Sequence, residues 1–209
     1  MVVLAPPPPR RDPRDPLFET LPAGTEVVRI YDPASHAATA TSFRRFGPLH
    51  RFDHHPGSGP TRNPCPCPTR GVYYAAHDLP GCLVEVFGDD GVIEPAGLMV
   101  ALPVLRRDLR LLDLRDKGAM RAGTNAAVTK DRERALTHAW SRYFYEEVGL
   151  FREIDGIIYP NAHNDEDAVL LYERAEDALL CPDERTMRLD DELLRPTILE
   201  TAWDNDLDP

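Results

Sequence analysis

The stretch RFDHHPGSGPTRNPCPC brings His54, His55, Cys65 and Cys67 together in sequence, and thiolates with imidazoles are natural zinc ligands. The spacing argues against that chemistry. Structural zinc sites place about two to four residues between paired cysteines, so that both sulfurs turn back onto one ion. Here only Pro66 separates the two cysteines, and Pro64 and Pro68 flank them. Adjacent His54 and His55 point to opposite sides of an extended segment. Neither pair converges, and no metal is expected. A nucleophilic thiol is no better supported. Cys82 would need an electropositive setting and a base such as His77, and the alternative is a small apolar residue in the core.

A more scattered set carries a different chemistry. Arg29, Arg51, Tyr74, Glu85 and Asn161 are polar residues placed within otherwise apolar segments. Planar guanidinium groups grip oxyanions through paired hydrogen bonds, and a fixed carboxylate stabilises a developing cation or orients a nucleophile. Each residue also has a purely structural reading. Glu85 is equally a solvated carboxylate or half of a core ion pair, the strand arginine shares that ambiguity, and Tyr73 or Tyr74 taken singly is ordinarily core or rim. The G-x-S-x-G, P-loop and G-x-G-x-x-G patterns are absent from the sequence, which removes the common hydrolase, nucleoside-triphosphate and Rossmann fingerprints.

The elements that must position these residues follow from periodicity. Residues 1–24, rich in Pro, Arg and Asp, read as a disordered arm, with the fold beginning near Glu26. TEVVRIYD is a short strand containing Arg29. A long loop region follows from Pro33 to about Thr69, with a short helical turn expected in ATATSFRRF. GVYYAAHD is a strand, and LPGCLVEVFG a short helix, with Pro80 in its first turn, Gly88 at its end and Glu85 upon it. GLMVALPVL and LRLLDLRD read as strands. TKDRERALTHAWSRYFYEEV is the clearest amphipathic helix, and DGIIYPNA and DAVLLYERA are closing strands. Strands outnumber helices without regular interleaving, which predicts an α+β fold with mixed or antiparallel sheets and a few helices. Residues 25–180 read as one domain, and residues 181–209 as an acidic extension with a possible short helix.

Composition narrows the partners. The 209 residues carry a formal net charge of -11, which opposes direct nucleic-acid binding. No apolar run approaches the roughly 20 residues of a membrane span, so no membrane association and a cytoplasmic location are expected. Four cysteines at uneven spacing read as reduced thiols.

In this order, the segments EVVRIYD, RRFGPLHRFDHH, RGVYYAAHDLPGCLVEVFG and IDGIIYPNAHNDEDAVLLYERA resemble the RES domain, a family named for its Arg, Glu and Ser. The resemblance runs from about Glu26 to Ala175. It implies a compact ADP-ribosyltransferase-like fold with NAD as substrate. It also implies a toxin of a type II toxin–antitoxin system that cleaves the nicotinamide–ribose bond by hydrolysis or phosphorolysis, restrained by a helix-turn-helix (Xre-type) antitoxin. Carried over by position, Arg29, Tyr74 and Glu85 are the catalytic residues, and Arg51, Phe52, His54, Tyr31 and Asn161 bind NAD. Asn161 stands where the family has serine, and its longer amide changes the geometry there. The alternatives are a protein ADP-ribosyltransferase and a non-catalytic NAD-binding module.

Overall fold

Apolar residues on both sides of the backbone in GIIYP and DAVLLY make strands buried on two faces, and these strands sit at the centre of the molecule. The computed structural model describes residues 3–10, 12–13, 15–59 and 61–209. In chain order the elements are β1 (Phe18–Leu21), β2 (Arg29–Tyr31), β3 (Phe46–Gly47), β4 (Cys65–Pro66), β5 (Val72–Ala76), α1 (Leu79–Phe87), β6 (Met99–Ala101), β7 (Val104–Leu105), β8 (Leu109–Asp113), α2 (Gly118–Arg121), α3 (Arg134–Glu146), α4 (Val148–Phe151), β9 (Gly156–Pro160), β10 (Asp167–Tyr172), β11 (Leu179–Leu180), β12 (Thr186–Arg188) and α5 (Arg195–Asp204).

The main sheet has five strands in the order β1-β8-β9-β10-β5. Its β8–β9 pair is parallel and its other pairs are antiparallel. A three-stranded sheet, β12-β6-β2, lies beside it, and a bridge from Val28 to Ala76 ties the two together. The fold is thus α+β with mixed sheets. Alternation divides the core. Ile157, Tyr159, Leu170 and Tyr172 face one side, with Trp140, Phe144 and Phe151 from α3 and α4. Ile158, Val169 and Leu171 face the other, with Leu109, Leu111 and Tyr73. Each such large side chain, fully buried, contributes about 1.5–3 kcal/mol.

Helix α1 starts where Asp78 accepts a hydrogen bond from the Gly81 amide at 2.8 Å, which satisfies one of the donors left open by the first turn. Its Cys82, Leu83 and Phe87 pack against Ile198 and Ala202 of α5, leaving Glu85 on another side of the helix. Cys82 is therefore a core residue, and burial pushes its thiol up to about 12.

Two expectations are corrected. The N-terminal segment is not an arm where it is described. Phe18–Leu21 pair with β8 as an edge strand, Leu4 is buried, and the Trp140 indole donates to the Ala5 carbonyl at 2.8 Å. The parts of that arm at residues 1–2, 11 and 14 lie outside the described residues. Proline disfavours a helix interior and a central strand but not an extended chain, and Leu4 and Phe18 pack against the core. ATATSFRRF forms a turn and then extends, because Arg44 pairs with Val72 and Phe46–Gly47 pair with Cys65–Pro66, taking up backbone groups that a helical turn would use. Among the described residues, no helix is long and apolar enough to cross a membrane.

Candidate functional site

A cavity of about 860 Å³ opens between β2, the loop from Ser42 to Arg51, β5 and α1. Arg29, Tyr31, Arg51, Tyr74 and Glu85 all line it. Five arginines (29, 44, 45, 51 and 134) reach its wall against the carboxylates of Asp32, Glu85, Asp89 and Asp90, a cationic bias inside an acidic chain.

Arg29 lies on β2, whose partner β6 holds it in register with Ala101. It is 9% exposed; its guanidinium donates to the Ser42 carbonyl at 2.6 Å and sits 4.4 Å above the Tyr73 ring. Among the described residues no carboxylate pairs with it, so an aromatic face and a carbonyl stabilise this cation while leaving it electrically uncompensated. Tyr31 lies two residues on, its phenol raised by burial.

The loop that carries Arg51 has little regular structure and is organised by one carboxylate. Asp53 is 0% exposed. It accepts from Arg44 Nη2 on both oxygens at 2.8 Å, from the Tyr74 hydroxyl at 2.9 Å, and from the Leu49 and His50 amides. Burial alone would raise its pKa, but Arg44 and the Leu49 amide outweigh that and hold it below the usual range. The Tyr74 hydroxyl also accepts from the Phe52 amide at 3.1 Å, and burial beside Asp53 raises its pKa well above the ordinary value. Tyr74 therefore offers the cavity a ring rather than an acid.

Arg51 donates to the Asp131 carbonyl at 2.6 Å. Burial, with Arg134 nearby, lowers its pKa, whereas Glu85 and Tyr159 oppose the shift. Glu85 itself is raised by burial; a hydrogen bond from Tyr159 and the charges of Arg51 and Arg134 pull the other way. The Tyr159 hydroxyl donates to Glu85 Oε1 at 3.0 Å from a fully buried position on β9, where its ring meets Phe52 edge-on at 4.8 Å.

Three of the residues carried over as NAD-binding do not reach the cavity. Phe52 is core, packed on Tyr159. His54 is buried between Tyr145 and Tyr172, its Nε2 2.9 Å from Glu173, whose carboxyl is held at about 2 despite burial by bonds from His54 and Tyr145. Asn161 builds the turn after β9: its Oδ1 accepts from the His163 and Asn164 amides at 2.9 and 3.0 Å. It acts on the cavity indirectly, since His163 lines the wall. Gly88 makes room for that imidazole, because a Cβ there would sit 2.6 Å from the His163 ring. His55 also turns inward, and burial pushes it down to about 4. Among the described residues, no group of three His, Cys, Asp or Glu side chains is placed to hold a metal ion.

Nothing in the sequence marks Arg44, Tyr159 or Arg134 for the cavity, and Asp53 stands out only as a neighbour of Arg51 in the segment that resembles the family's, not as the carboxylate that organises the loop. Arg44, Asp53 and Tyr159 lie inside quoted segments, RRFG, RFDHH and IIYP, but a side chain's facing in a loop or a doubly buried strand leaves no periodic mark. Arg134 reads as an ordinary charge on the polar side of α3.

A family model described as the RES domain matches residues 26–193. No curated protein matches the chain. Among solved structures, a chain of the M. tuberculosis MbcT-MbcA toxin–antitoxin complex superposes with a TM-score of 0.55 and 14% identity, over 85% of this chain and 90% of that one. That likeness is one of fold.

Proposed function

This chain belongs to the RES domain family, and from that premise we propose that it is the toxin of a type II toxin–antitoxin system, an enzyme that cleaves the nicotinamide–ribose bond of NAD. One observation carries the reading: Arg29, Arg51, Tyr74 and Glu85, from four separate segments, meet at a single cavity. Its cationic bias fits a substrate with a pyrophosphate, and Arg29, an uncompensated buried cation, is suited to grip it.

The nicotinamide of NAD is a cationic leaving group. As the C1′–N bond breaks, nicotinamide departs neutral with the bonding pair, and positive charge passes to the ribose. A carboxylate fixed beside that ribose stabilises the charge without forming a bond, and Glu85 is the carboxylate available. Water, releasing a proton to solvent, or an anionic oxygen of phosphate then bonds to C1′. Tyr159 holds Glu85 in place and favours its charged form against the effect of burial, and the rings of Tyr31 and Tyr74 flank the space for the leaving base. The partner proposed is a helix-turn-helix antitoxin, in keeping with the fold likeness to a chain from a toxin–antitoxin complex.

Purified protein, freed of any antitoxin, is incubated with labelled NAD with and without inorganic phosphate, and free nicotinamide is followed. Release that disappears in Glu85→Gln is expected. No release sinks the proposal, and label left on protein replaces it with ADP-ribosyl transfer.

A further inference from the structure

Arg51, Arg134 and Glu85 line the same cavity, near enough for their charges to act on one another. Among the described residues Arg51 pairs with no carboxylate, and its one side-chain hydrogen bond goes to the Asp131 carbonyl. Arg134 leans on Asp89 at 3.5 Å, but that partner is 74% exposed, and so widely solvated a pair contributes little. Its Nη1 is buried without a hydrogen-bond partner among the described residues. The two guanidinium groups face Glu85 and the exposed Asp89, and a buried donor is left open. An open donor beside two cations suits an oxyanion.

We propose that Arg134 and Arg51 form an oxyanion subsite beside Glu85 that takes the phosphate attached to the nicotinamide ribose of the substrate. The inference rests on the NAD reading and fixes its orientation: with Glu85 at the scissile carbon, the 5′-phosphate of the same ribose lies one sugar's width away. The second phosphate of the dinucleotide then falls to Arg29. Arg134 is a binding residue in this scheme, and it discriminates substrates that carry the 5′-phosphate from those that lack it.

Calorimetric titration of the full chain bearing E85Q, with and without R134Q, tests this without turnover. The probes are NAD, nicotinamide mononucleotide, nicotinamide riboside and inorganic phosphate. R134Q is expected to weaken NAD and the mononucleotide by a similar factor, about tenfold to a hundredfold, and to leave the riboside unchanged. R134K should restore part of the loss, since it returns charge without the planar fork. Equal affinity of both chains for the mononucleotide overturns the inference. So does a matching loss for the riboside, which would mean that the cavity itself had changed. Arg134-dependent binding of inorganic phosphate, by a chain that neither binds nor cleaves NAD, keeps the subsite and removes the NAD reading.

Discussion

Tyr159→Phe removes one oxygen and tests whether Glu85 works as an ionised, fixed carboxylate. The hydroxyl donates to Oε1 at 3.0 Å from a residue that is 1% exposed, and a hydrogen bond to a charged acceptor is worth about 1.5–3 kcal/mol. Phenylalanine keeps the ring and its edge-on contact with Phe52, so the core stays filled. Glu85 faces the cavity and recovers solvent contact there, leaving a small cost in folding stability. The loss falls on the transition state, where the carboxylate must be charged and aimed. A loss of that size predicts kcat for nicotinamide release down about tenfold to a hundredfold. KM should hardly move, because Tyr159 does not line the cavity. The pH profile supplies the sign. Burial raises the Glu85 pKa and the Tyr159 bond opposes it, so its removal lets the pKa rise further and moves the acidic limb of kcat to higher pH. Initial rates from about pH 5 to pH 8 read both effects. A variant that keeps the parent's kcat and acidic limb refutes the reasoning, since Glu85 would then be working without its buried partner.

Two further substitutions test the supports behind the cavity wall. Arg44→Ala strands the Asp53 carboxylate without its cation in a fully buried place, and breaking such a pair costs about 3–5 kcal/mol; urea unfolding measures it, and Arg44→Gln with Asp53→Asn should recover part. Glu173→Gln removes a carboxyl held at about 2 against its ordinary 4.5, which after discounting for solvent screening of a partly exposed group corresponds to about 1–2 kcal/mol at neutral pH. Because its folded pKa is depressed, that contribution is complete above the ordinary value and is lost as pH falls toward about 2. Unfolding midpoints of parent and Glu173→Gln should therefore differ widely at neutral pH and converge in acid. Midpoints equally far apart at every pH contradict the assignment.

What the sequence revealed followed the reach of its local rules. Arg29 was legible because TEVVRIYD has the composition of a strand. Glu85 was legible because Pro80 and Gly88 bracket a helix whose other residues are apolar. The resemblance carries Phe52 and His54 over as NAD contacts, but the residues around Arg51 fold irregularly about Asp53 and turn both side chains into the core, and neither period of 2 nor of 3.6 says which side chain meets solvent there. Asn161 was read as a ligand contact, whereas its short amide caps the turn that delivers His163. Tyr159 and Arg134 lie 74 and 49 residues from Glu85 in sequence, and only packing brings the hydroxyl of one and the charge of the other to bear on it. The N-terminal prolines keep that segment out of helix but do not leave the chain loose, since Phe18–Leu21 pair with β8 and Leu4 is buried.

The cluster on Asp53 also constrains how this wall can diverge among relatives. Arg44, Tyr74 and the Leu49 and His50 amides all end on its two oxygens. Asparagine there would present a donor where a guanidinium and two amides also point, so Arg44 would have to change in step. Positions 44, 53 and 74 should therefore be inherited as a set, with lineages trading one combination for another, while neighbouring surface residues such as Leu49 drift independently.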